Sequence, residues 1–299
     1  MIDASLLGKH DRVVVVAVDD GALEAAADDS GLEVVHMTAA NDLDETVALL
    51  VSLIGDGRST LLAAPSPDDD QPDRELAGSA ASTAAVRTGA TLVELSPVGT
   101  WRRREPADTA LDDLHQSEAD PWGVDTRWYE RRKRALTLAM LPRPRFVRAL
   151  EVGCSVGALT ADLADRCDEV VGVDGSASAV EAAQARLADA AHVDVRRALV
   201  PGDWPAGEFD LVVVSEMAYF LSPAALEGLA ARIRDCLTAD GVVVACHWRH
   251  DIEGWVLDGA DAHARLLAEL GLPEQSRYED RDITLSLLGR DDALPDPTA

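Results

Sequence analysis

The sequence predicts an α/β protein with a Rossmann-like core, a mostly parallel sheet with helices on both faces, preceded by a smaller α/β domain. Two observations predict this fold class. Apolar runs of strand length alternate with helical segments along the chain. In addition, the apolar run 149–152 enters a turn with glycines at Gly153 and Gly157, and a second run, 170–173, ends in Asp174. Such glycines, with an acid placed for ribose hydroxyls, are typical of a nucleotide-type pocket.

Charge and composition limit the classes of function. The 299 residues carry a net charge of −27, and 47% of them are hydrophobic, which is enough for a packed core. The acidity is even, with 22 acidic and 8 basic residues in 1–115 and 32 and 19 in the remainder. Because nucleic-acid phosphates need clustered cations, this balance argues against a nucleic-acid partner and favours a small-molecule substrate. The acidic surface would attract a cationic amine, although solubility alone also explains it.

The basic residues and cysteines carry less information. Lys9 and Lys133 are the only lysines, which indicates a coding preference for arginine. The four cysteines are far apart and form no C-x-x-C pair, as expected of reduced thiols. The sequence shows no apolar run of about 18 residues and no signal-peptide pattern at its start, so it predicts a cytoplasmic protein without membrane contact. The oligomeric state stays open.

Residues 1–105 are predicted to form the smaller α/β domain. Strands are expected at 12–18, 32–38, 60–64 and 91–95, and Asn41 or Asp42 can cap the helix that follows the second strand. Another helix is expected at 73–88. The repeated strand–helix order indicates a small parallel sheet.

The same segment resembles a shortened, degenerate PIG-L/LmbE-type deacetylase domain. The resemblance rests on residues 33–38 and on residues 62–74, which include Gln71 and Arg74. In that family the corresponding motif reads H-P-D-H and helps bind zinc, whereas here Gln71 and Arg74 replace both histidines. Zinc needs His, Cys or carboxylate ligands. We therefore expect no metal and no deacetylase activity, although Asp19, Asp20 and the acids at 68–70 could hold a hard cation or, more simply, be exposed turn residues.

A boundary is expected next. The run 101–104, with three consecutive arginines, interrupts the strand–helix rhythm and is expected to be a surface loop. Residues 106–119 are predicted to be a linker, 120–290 the larger domain and 291–299 a frayed tail.

A helix precedes the glycine turn. Asp125 or Thr126 can cap it, and an apolar stripe that begins with Trp128 and Tyr129 continues to residue 141. Pro142 ends it. Because this helix directly precedes the first strand of the larger domain, it can lie across the mouth of the pocket as a lid.

Residues 120–122, 128–133 and 150–155 together resemble the NodS-like class I methyltransferases, and the similarity extends from about residue 120 to the C-terminal strand. The resemblance implies a class I methyltransferase fold with a mostly parallel seven-stranded sheet, and S-adenosylmethionine as the cofactor. It also implies a set of cofactor-binding residues: Trp122, Tyr129, Arg132, Glu151, Gly153, Cys154, Ser155, Gly157, Asp174, Gly175, Ser176, Ala198, Leu199 and Ser215.

Within that set, physical reasoning supports several roles. Glu151 ends a strand, where its carboxylate can face an ammonium group, and the glycine turn lets the backbone pass under a ligand. Asp174 is placed for two ribose hydroxyls, or for a helix cap shared with Ser176. In this class Ala198 and Leu199 would flank the adenine. Asp203 could meet the adenine amine or form an ordinary turn.

The candidate catalytic residues follow the strands expected at 209–216 and 242–246. Glu216 and Tyr219 come after the first of these, at the sheet edge where open α/β sheets hold their chemistry. Glu216 could pair with a substrate ammonium, accept its proton or only order the loop. His247 follows the second strand and is a candidate general base. A helix is expected to end at Leu237, closed by a turn at 240–241, and a terminal β-hairpin is expected at 277–288.

The sequence therefore predicts an S-adenosylmethionine-dependent methyltransferase that acts on the nitrogen of a small amine or amino-sugar-type acceptor. Methyl transfer to oxygen, with His247 as base, is one alternative. A cofactor-binding scaffold without catalytic activity is the other.

Overall fold

The computed structural model of the protein describes residues 12–18, 33–37, 42–54, 60–65, 72–88, 90–95, 101–104, 111, 114–115, 120–250, 252 and 257–290. The chain divides into two compact units, the first with the described residues up to Arg104 and the second with those from Leu111 onward. The division falls after residue 110, within the segment predicted as a linker. The domain boundaries at 105 and 120 remain a prediction. In the part of the chain described, no helix is long and apolar enough to cross a membrane.

The described residues of the first unit form a five-stranded sheet with two helices. Its elements in chain order are β1 (Arg12–Val18), β2 (Glu33–Met37), α1 (Leu43–Ile54), β3 (Thr60–Pro65), α2 (Pro72–Thr88), β4 (Thr91–Leu95) and β5 (Trp101–Arg104). The strand order is β2-β1-β3-β4-β5, and the first four strands are parallel. Val14 and Val16 of β1 pack with Leu50 of α1 and with alanines of α2, whose small side chains let the helix approach the sheet. Asp42 caps α1, since its Oδ1 accepts from the amide of Glu45 at 2.8 Å.

Two expectations about this unit need comment. The run 101–104 is not a loop, because β5 pairs antiparallel with β4. Without β5, the strand β4 would be an edge strand with a row of unpaired backbone N–H and C=O groups. Pairing with such an edge uses backbone groups, so a segment rich in arginine can also form it. Asp19, Asp20, residues 68–70 and Gln71 lie outside the described residues, as does the predicted tail at 291–299. Arg74 lies in the first turn of α2.

The second unit is a seven-stranded sheet. Its elements are α3 (Trp128–Met140), β6 (Phe146–Val152), α4 (Ala158–Ala164), β7 (Cys167–Asp174), α5 (Ala177–Arg186), β8 (Val193–Arg197), β9 (Phe209–Ser215), a 3-10 turn (Ala218–Phe220), α6 (Pro223–Cys236), β10 (Leu237–Trp248), α7 (Gly259–Leu270), β11 (Glu274–Glu279) and β12 (Ile283–Gly289). The order is β11-β12-β10-β9-β6-β7-β8. The strand β12 runs in the opposite direction to the other six, which are parallel to one another. The predicted fold class is confirmed.

Both faces of this sheet are buried. On β9, Val212 and Val214 pack into a core with α6 and α7, whereas Leu211 and Val213 pack into a second core on the opposite face with Leu163 of α4. This alternation explains why the strand reads as a continuous apolar run. Because the order reverses between β6 and β9, the carboxyl ends of these central strands open a crevice in which a ligand can bind.

Several local expectations differ from the structure. The helix α3 begins after Arg127 without a side-chain cap, and Asp125 pairs with Arg186 at 2.6 Å instead of capping it. The helix α6 ends at Cys236, and β10 begins at Leu237 rather than at residue 242. The predicted turn at 240–241 is a bulge, because the register with β9 shifts between Leu237 and Val242. A bulge adds residues to a strand without ending it.

The glycine turn provides a stability prediction. Gly157, with φ of 77°, precedes α4, and a Cβ at this position would lie 2.9 Å from the Cβ of Ala183. Gly271, with φ of 61°, has no atom within 4 Å of an added Cβ and is a matched control. We expect Gly157→Ala to lower the free energy of unfolding by about 2–3 kcal/mol, since it combines left-handed strain with a clash, and Gly271→Ala by about 1 kcal/mol. Urea denaturation measures both, and equal losses would contradict the clash.

Candidate functional site

The glycine turn is tied to the end of β7. The amides of Gly153 and Cys154 both donate to the carbonyl oxygen of Val173, at 2.8 and 3.0 Å. Ser155 has a φ of 47°, which is uncommon for a residue other than glycine. Its amide donates to Oδ2 of Asp174 at 2.8 Å. These bonds fix the shape of the turn before any ligand binds.

The Asp174 carboxylate lies at the centre of this arrangement. Its Oδ1 accepts from the amide of Ser176 at 2.9 Å, and Ser176 in turn caps α5 through its hydroxyl. Asp174 therefore takes part in the helix cap. Its role toward ribose hydroxyls remains a prediction. The carbonyl of Gly175 accepts from Arg197 at 2.8 Å.

Glu151 is a buried acid beneath the turn. Its side chain is only slightly exposed, and its Oε2 accepts from the hydroxyl of Thr160 at 2.6 Å. Burial is the main cause that raises the pKa of Glu151 to about 8. A carboxyl group in this state gains from a cation that approaches it, because the cation offsets the cost of burying the charge. Cys154 is also buried, which raises the pKa of its thiol and keeps it unreactive.

The adenine side of the expected pocket lies at the end of β8. Ala198 is buried, and the amide of Leu199 donates to Oδ2 of Asp203 at 3.2 Å. The amide of Asp203 donates back to the carbonyl of Leu199 at 2.9 Å. Asp203 therefore forms a turn after β8, and its contact with an adenine amine remains a prediction.

A carboxylate held by two tyrosines lies at the end of β9. Tyr129 of α3 donates its hydroxyl to Oε1 of Glu216 at 3.1 Å, and Tyr219 donates to Oε2 at 2.6 Å. Glu216 itself has a φ of 59°. Non-glycine residues in this conformation cost of order 1–3 kcal/mol and cluster at functional sites. We call Tyr129, Glu130, Lys133, Glu216 and Tyr219 the acid–tyrosine cluster.

Lys133 is the cation of the acid–tyrosine cluster. Its Nζ lies 2.8 Å from Oε2 of Glu130 and 4.0 Å from Oε1 of Glu216, and its side chain is almost fully buried. Burial alone would lower the pKa of Lys133, but Glu216 and Glu130 raise it overall. Burial and the charge of Glu216 raise the pKa of Tyr219 well above its usual value, so this residue is a neutral donor. Two carboxylates share one ammonium, and the cluster has one surplus negative charge.

Aromatic rings pack against the acid–tyrosine cluster. The ring of Trp248 contacts that of Tyr129 edge to face, with centroids 4.6 Å apart. The ring of Phe220 contacts that of Tyr219, also edge to face. Trp122, whose ring centroid lies 6.2 Å from that of Phe220, packs with Val156 of the glycine turn. Aromatic side chains therefore connect the glycine turn with the cluster.

A comparison with protein families decides the relationship. The family model described as Nodulation protein S (NodS) matches residues 108–289, well over half of the chain. The chain belongs to the NodS family.

Individual members of the NodS family align with part of the chain. Nodulation protein S of Rhizobium tropici is 34% identical over 107 residues, which are 36% of this chain and 45% of that protein. Nodulation protein S of Bradyrhizobium diazoefficiens is 35% identical over 103 residues, which are 34% of this chain and 49% of that protein. The chain spans about half the length of the curated relatives it matches.

Solved structures match the second unit. A crystal structure of a proposed methyltransferase from Pseudomonas syringae is 46% identical with a TM-score of 0.50, and covers 55% of this chain and 100% of that chain. The N-methyltransferase NodS from Bradyrhizobium japonicum, solved with S-adenosyl-L-homocysteine, has a TM-score of 0.54 at 22% identity and covers 62% of this chain and 98% of that chain. Both likenesses agree with the class I methyltransferase fold.

The structure of this NodS-family chain brings most of the predicted residues into two groups. Those around the glycine turn are Glu151, Gly153, Cys154, Ser155, Gly157, Asp174, Gly175 and Ser176. Tyr129 and Tyr219 meet at Glu216, directly after Ser215 at the end of β9. Their roles toward a cofactor or an acceptor remain predictions.

Two predicted residues have other contacts. Arg132 donates to the hydroxyl of Tyr278 at 2.6 Å and pairs with Asp280, both near the turn of the terminal hairpin. Its charge is therefore already balanced. His247 is fully buried, and burial lowers the pKa of its imidazole well below the usual value, which makes it a weak base.

Sequence reasoning missed the cation of the cluster. The scarcity of lysine was attributed to a coding preference for arginine. The same scarcity could have drawn attention to Lys133, because this rare residue type occurs at a position where the charge is buried. Glu130 precedes it by three residues on α3, a spacing at which two helical side chains meet. The contact of Lys133 with Glu216 carries no such local signal.

Proposed function

We propose that this NodS-family chain is an S-adenosylmethionine-dependent methyltransferase that methylates the nitrogen of a small amine, with an amino sugar as one candidate acceptor. The observation that carries the proposal is the surplus negative charge of the acid–tyrosine cluster. A bound ammonium group would make the cluster neutral, whereas a neutral alcohol would leave its surplus negative charge in place. The relatives named N-methyltransferase NodS support the same reaction class.

The residues around the glycine turn fit the proposed cofactor. The buried carboxyl of Glu151 suits an ammonium group, and the carboxylate of Asp174 at the end of β7 is a hydrogen-bond acceptor suited to ribose hydroxyls. The buried Ala198 offers an apolar surface to a base. When bound, S-adenosylmethionine would supply an electrophilic methyl group on sulfur.

The acid–tyrosine cluster then has the work of binding and orienting the amine. Glu216 pairs with the ammonium form, while Tyr129 and Tyr219 keep its two oxygens in fixed directions. The amine must lose a proton before its nitrogen can attack, and Glu216 is the acceptor for that proton. Holding the nitrogen in line and excluding water supplies much of the remaining acceleration.

Methyl transfer to oxygen fits the structure less well. A hydroxyl group is a weak nucleophile and would need a stronger base, which the sequence assigned to His247. That imidazole is buried, and burial lowers its pKa. Glu216 holds the position next to the tyrosines instead.

Calorimetry with S-adenosylmethionine followed by a methyl-transfer assay tests the proposal. The acceptors are matched pairs in which only an amine and a hydroxyl differ, including glucosamine and glucose. We expect binding of the cofactor and transfer only to amines. Transfer to the hydroxyl member of a pair would overturn the nitrogen assignment, and binding without any transfer would favour the scaffold.

For the first unit we propose no deacetylase activity. Of the two positions at which the resemblance requires histidine, Gln71 lies outside the described residues and Arg74 lies in the first turn of α2. In the described ranges, no group of three His, Cys, Asp or Glu side chains is arranged to hold a metal. A cytoplasmic location likewise rests on the sequence.

The metal content of the purified protein gives a direct check. We expect well under 0.1 zinc per chain, on the order of contamination, because Gln71 and Arg74 stand where the resemblance requires histidine and an arginine repels the ion. Inductively coupled plasma mass spectrometry after dialysis measures it. Stoichiometric zinc would refute this interpretation.

A further inference from the structure

Four polar side chains form a row that runs from the exposed Glu274 to His247 next to the acid–tyrosine cluster. Nδ1 of His247 on β10 lies 2.9 Å from Nδ1 of His263 on α7. Nε2 of His263 lies 2.9 Å from the hydroxyl of Ser286 on β12, and that hydroxyl donates to Oε1 of Glu274 on β11 at 2.5 Å. His247, His263 and Ser286 are all buried. We call these four residues the histidine row.

The directions of the hydrogen bonds follow from the chemistry of Glu274 and Ser286. A carboxylate only accepts, so the single hydroxyl proton of Ser286 goes to Glu274. The oxygen of Ser286 must then accept from Nε2 of His263. A neutral imidazole has one N–H, and so Nδ1 of His263 is an acceptor and Nδ1 of His247 is the donor.

Both imidazoles are neutral in this arrangement. Burial, as the first cause, lowers the pKa of His263 to about 4 and lowers that of His247 well below its usual value. Neutral His247 with its proton on Nδ1 has an unprotonated Nε2. This atom is buried and has no hydrogen-bond partner among the described residues.

The histidine row ends against the acid–tyrosine cluster. The rings of His247 and Tyr219 are 5.9 Å apart at an angle of 70°, an edge-to-face contact. The hydroxyl of Tyr219 holds Glu216. Any rotation or charging of His247 therefore acts on the tyrosine that orients the carboxylate.

We infer that His263, together with Ser286 and Glu274, is a positioning residue for the acceptor site, because its Nδ1 holds His247 in the tautomer with the proton on Nδ1 behind Tyr219. This inference rests on the proposed function for the identity of the acceptor as an amine. A charged imidazole behind Tyr219 would compete with the substrate ammonium for electrostatic attraction to the Glu216 carboxylate. It would also release the ring of Tyr219.

Nitrogen-15 NMR of histidine-labelled full-length protein reads the tautomers without any substrate. Correlations between ring carbon-bound protons and both ring nitrogens distinguish Nδ1–H from Nε2–H, and His247→Gln and His263→Gln assign the signals by their loss. We expect Nδ1–H for His247 and Nε2–H for His263. A wild-type His247 protonated on Nε2 would overturn the inference.

Kinetics of two matched variants test the positioning role. Ser286→Ala removes the link between His263 and Glu274, whereas Ser276→Ala, on the exposed side of β11, removes a hydroxyl outside the row. For Ser286→Ala we expect a mixture of His247 tautomers and a KM for the amine raised about threefold to tenfold, with the Kd of S-adenosylmethionine unchanged within about twofold. For Ser276→Ala we expect wild-type tautomers and a KM within about twofold.

Each further outcome is decisive. Tautomers that change in Ser286→Ala without any change in KM or kcat would show that the row is merely structural and refute the positioning role. Should Ser286→Ala fail to fold, Ser286→Thr, which keeps the hydroxyl, and Ser286→Cys, which keeps a weak donor, replace it as a pair, and equal KM values would refute the role. If wild type methylates no amine, the proposed function fails, while the tautomers still decide the hydrogen-bond directions.

Discussion

Replacement of Glu216 by glutamine is expected to lower kcat/KM for the amine acceptor about 100-fold to 1000-fold, while the Kd of S-adenosylmethionine changes less than about threefold. The amide removes the surplus negative charge of the acid–tyrosine cluster. With a bound substrate ammonium, Glu130 would then be the only carboxylate of the cluster to balance two cations, Lys133 and the substrate. It also removes the proton acceptor and turns an NH2 group toward one of the two tyrosine hydroxyls. Together these losses correspond to about 3–4 kcal/mol of transition-state stabilisation.

A radiometric or coupled assay at saturating cofactor measures this loss. Glu227→Gln, on the exposed side of α6, removes the same charge from the surface and is the matched control. We expect the control to behave as wild type within about twofold, since exposed charges are screened. Wild-type kcat/KM in Glu216→Gln would refute the role of the cluster, and an equal loss in both variants would assign the effect to net charge.

The second large effect concerns Glu151 and pH. Its pKa in the folded protein is about 8, above the ordinary value of 4.5, and so the folded chain binds more protons than the unfolded chain between these values. The contribution of the protonated group is full below pH 4.5 and is lost as pH rises to about 8. The cofactor-free protein should therefore lose about 1.4 kcal/mol of unfolding free energy per pH unit over this window from this group.

Cofactor binding should show the reverse dependence. If Glu151 must be ionised to meet an ammonium group, binding at pH 7 releases close to one proton, and the affinity rises by about tenfold per pH unit up to pH 8. Calorimetry in buffers with different ionisation enthalpies counts the protons. Glu151→Gln should weaken binding about 10-fold to 100-fold and abolish the release, whereas the exposed Glu181→Gln should do neither. A wild-type affinity independent of pH would refute the coupling.

The elements that sequence could predict are those with local signals. The strand β4 was predicted at its observed bounds, because a short apolar run between polar turns has few other interpretations. The glycine turn and Asp174 could also be predicted, since strand, turn and acid follow one another at fixed spacing. The shift in register before Val242 could not be predicted, because an Asp–Gly pair is typical of a turn whether or not the strand continues past it.

Less of the candidate site could be predicted, because its main contacts join residues that are far apart in the sequence. Tyr129 and Glu216 are 87 residues apart, and the hydrogen bond between them depends on how α3 crosses the sheet. His263 and Ser286 have no neighbours in sequence that mark them. Arg132 was assigned to the cofactor from a resemblance, and only the packing of α3 against the terminal hairpin shows Asp280 beside it.

The burial of Lys133 has a practical consequence. Lys133 is the only lysine of the second unit, so an amine-selective reagent finds no exposed lysine anywhere in residues 111–299. Biotinylation, dye coupling or reductive alkylation at the ε-amino group would therefore leave this unit unlabelled as long as it stays folded. Labelling of Lys133, detected by peptide mass spectrometry, would report the opening of α3 from the sheet. The scarcity of lysine thus makes the buried cation of the acid–tyrosine cluster a built-in probe of local unfolding.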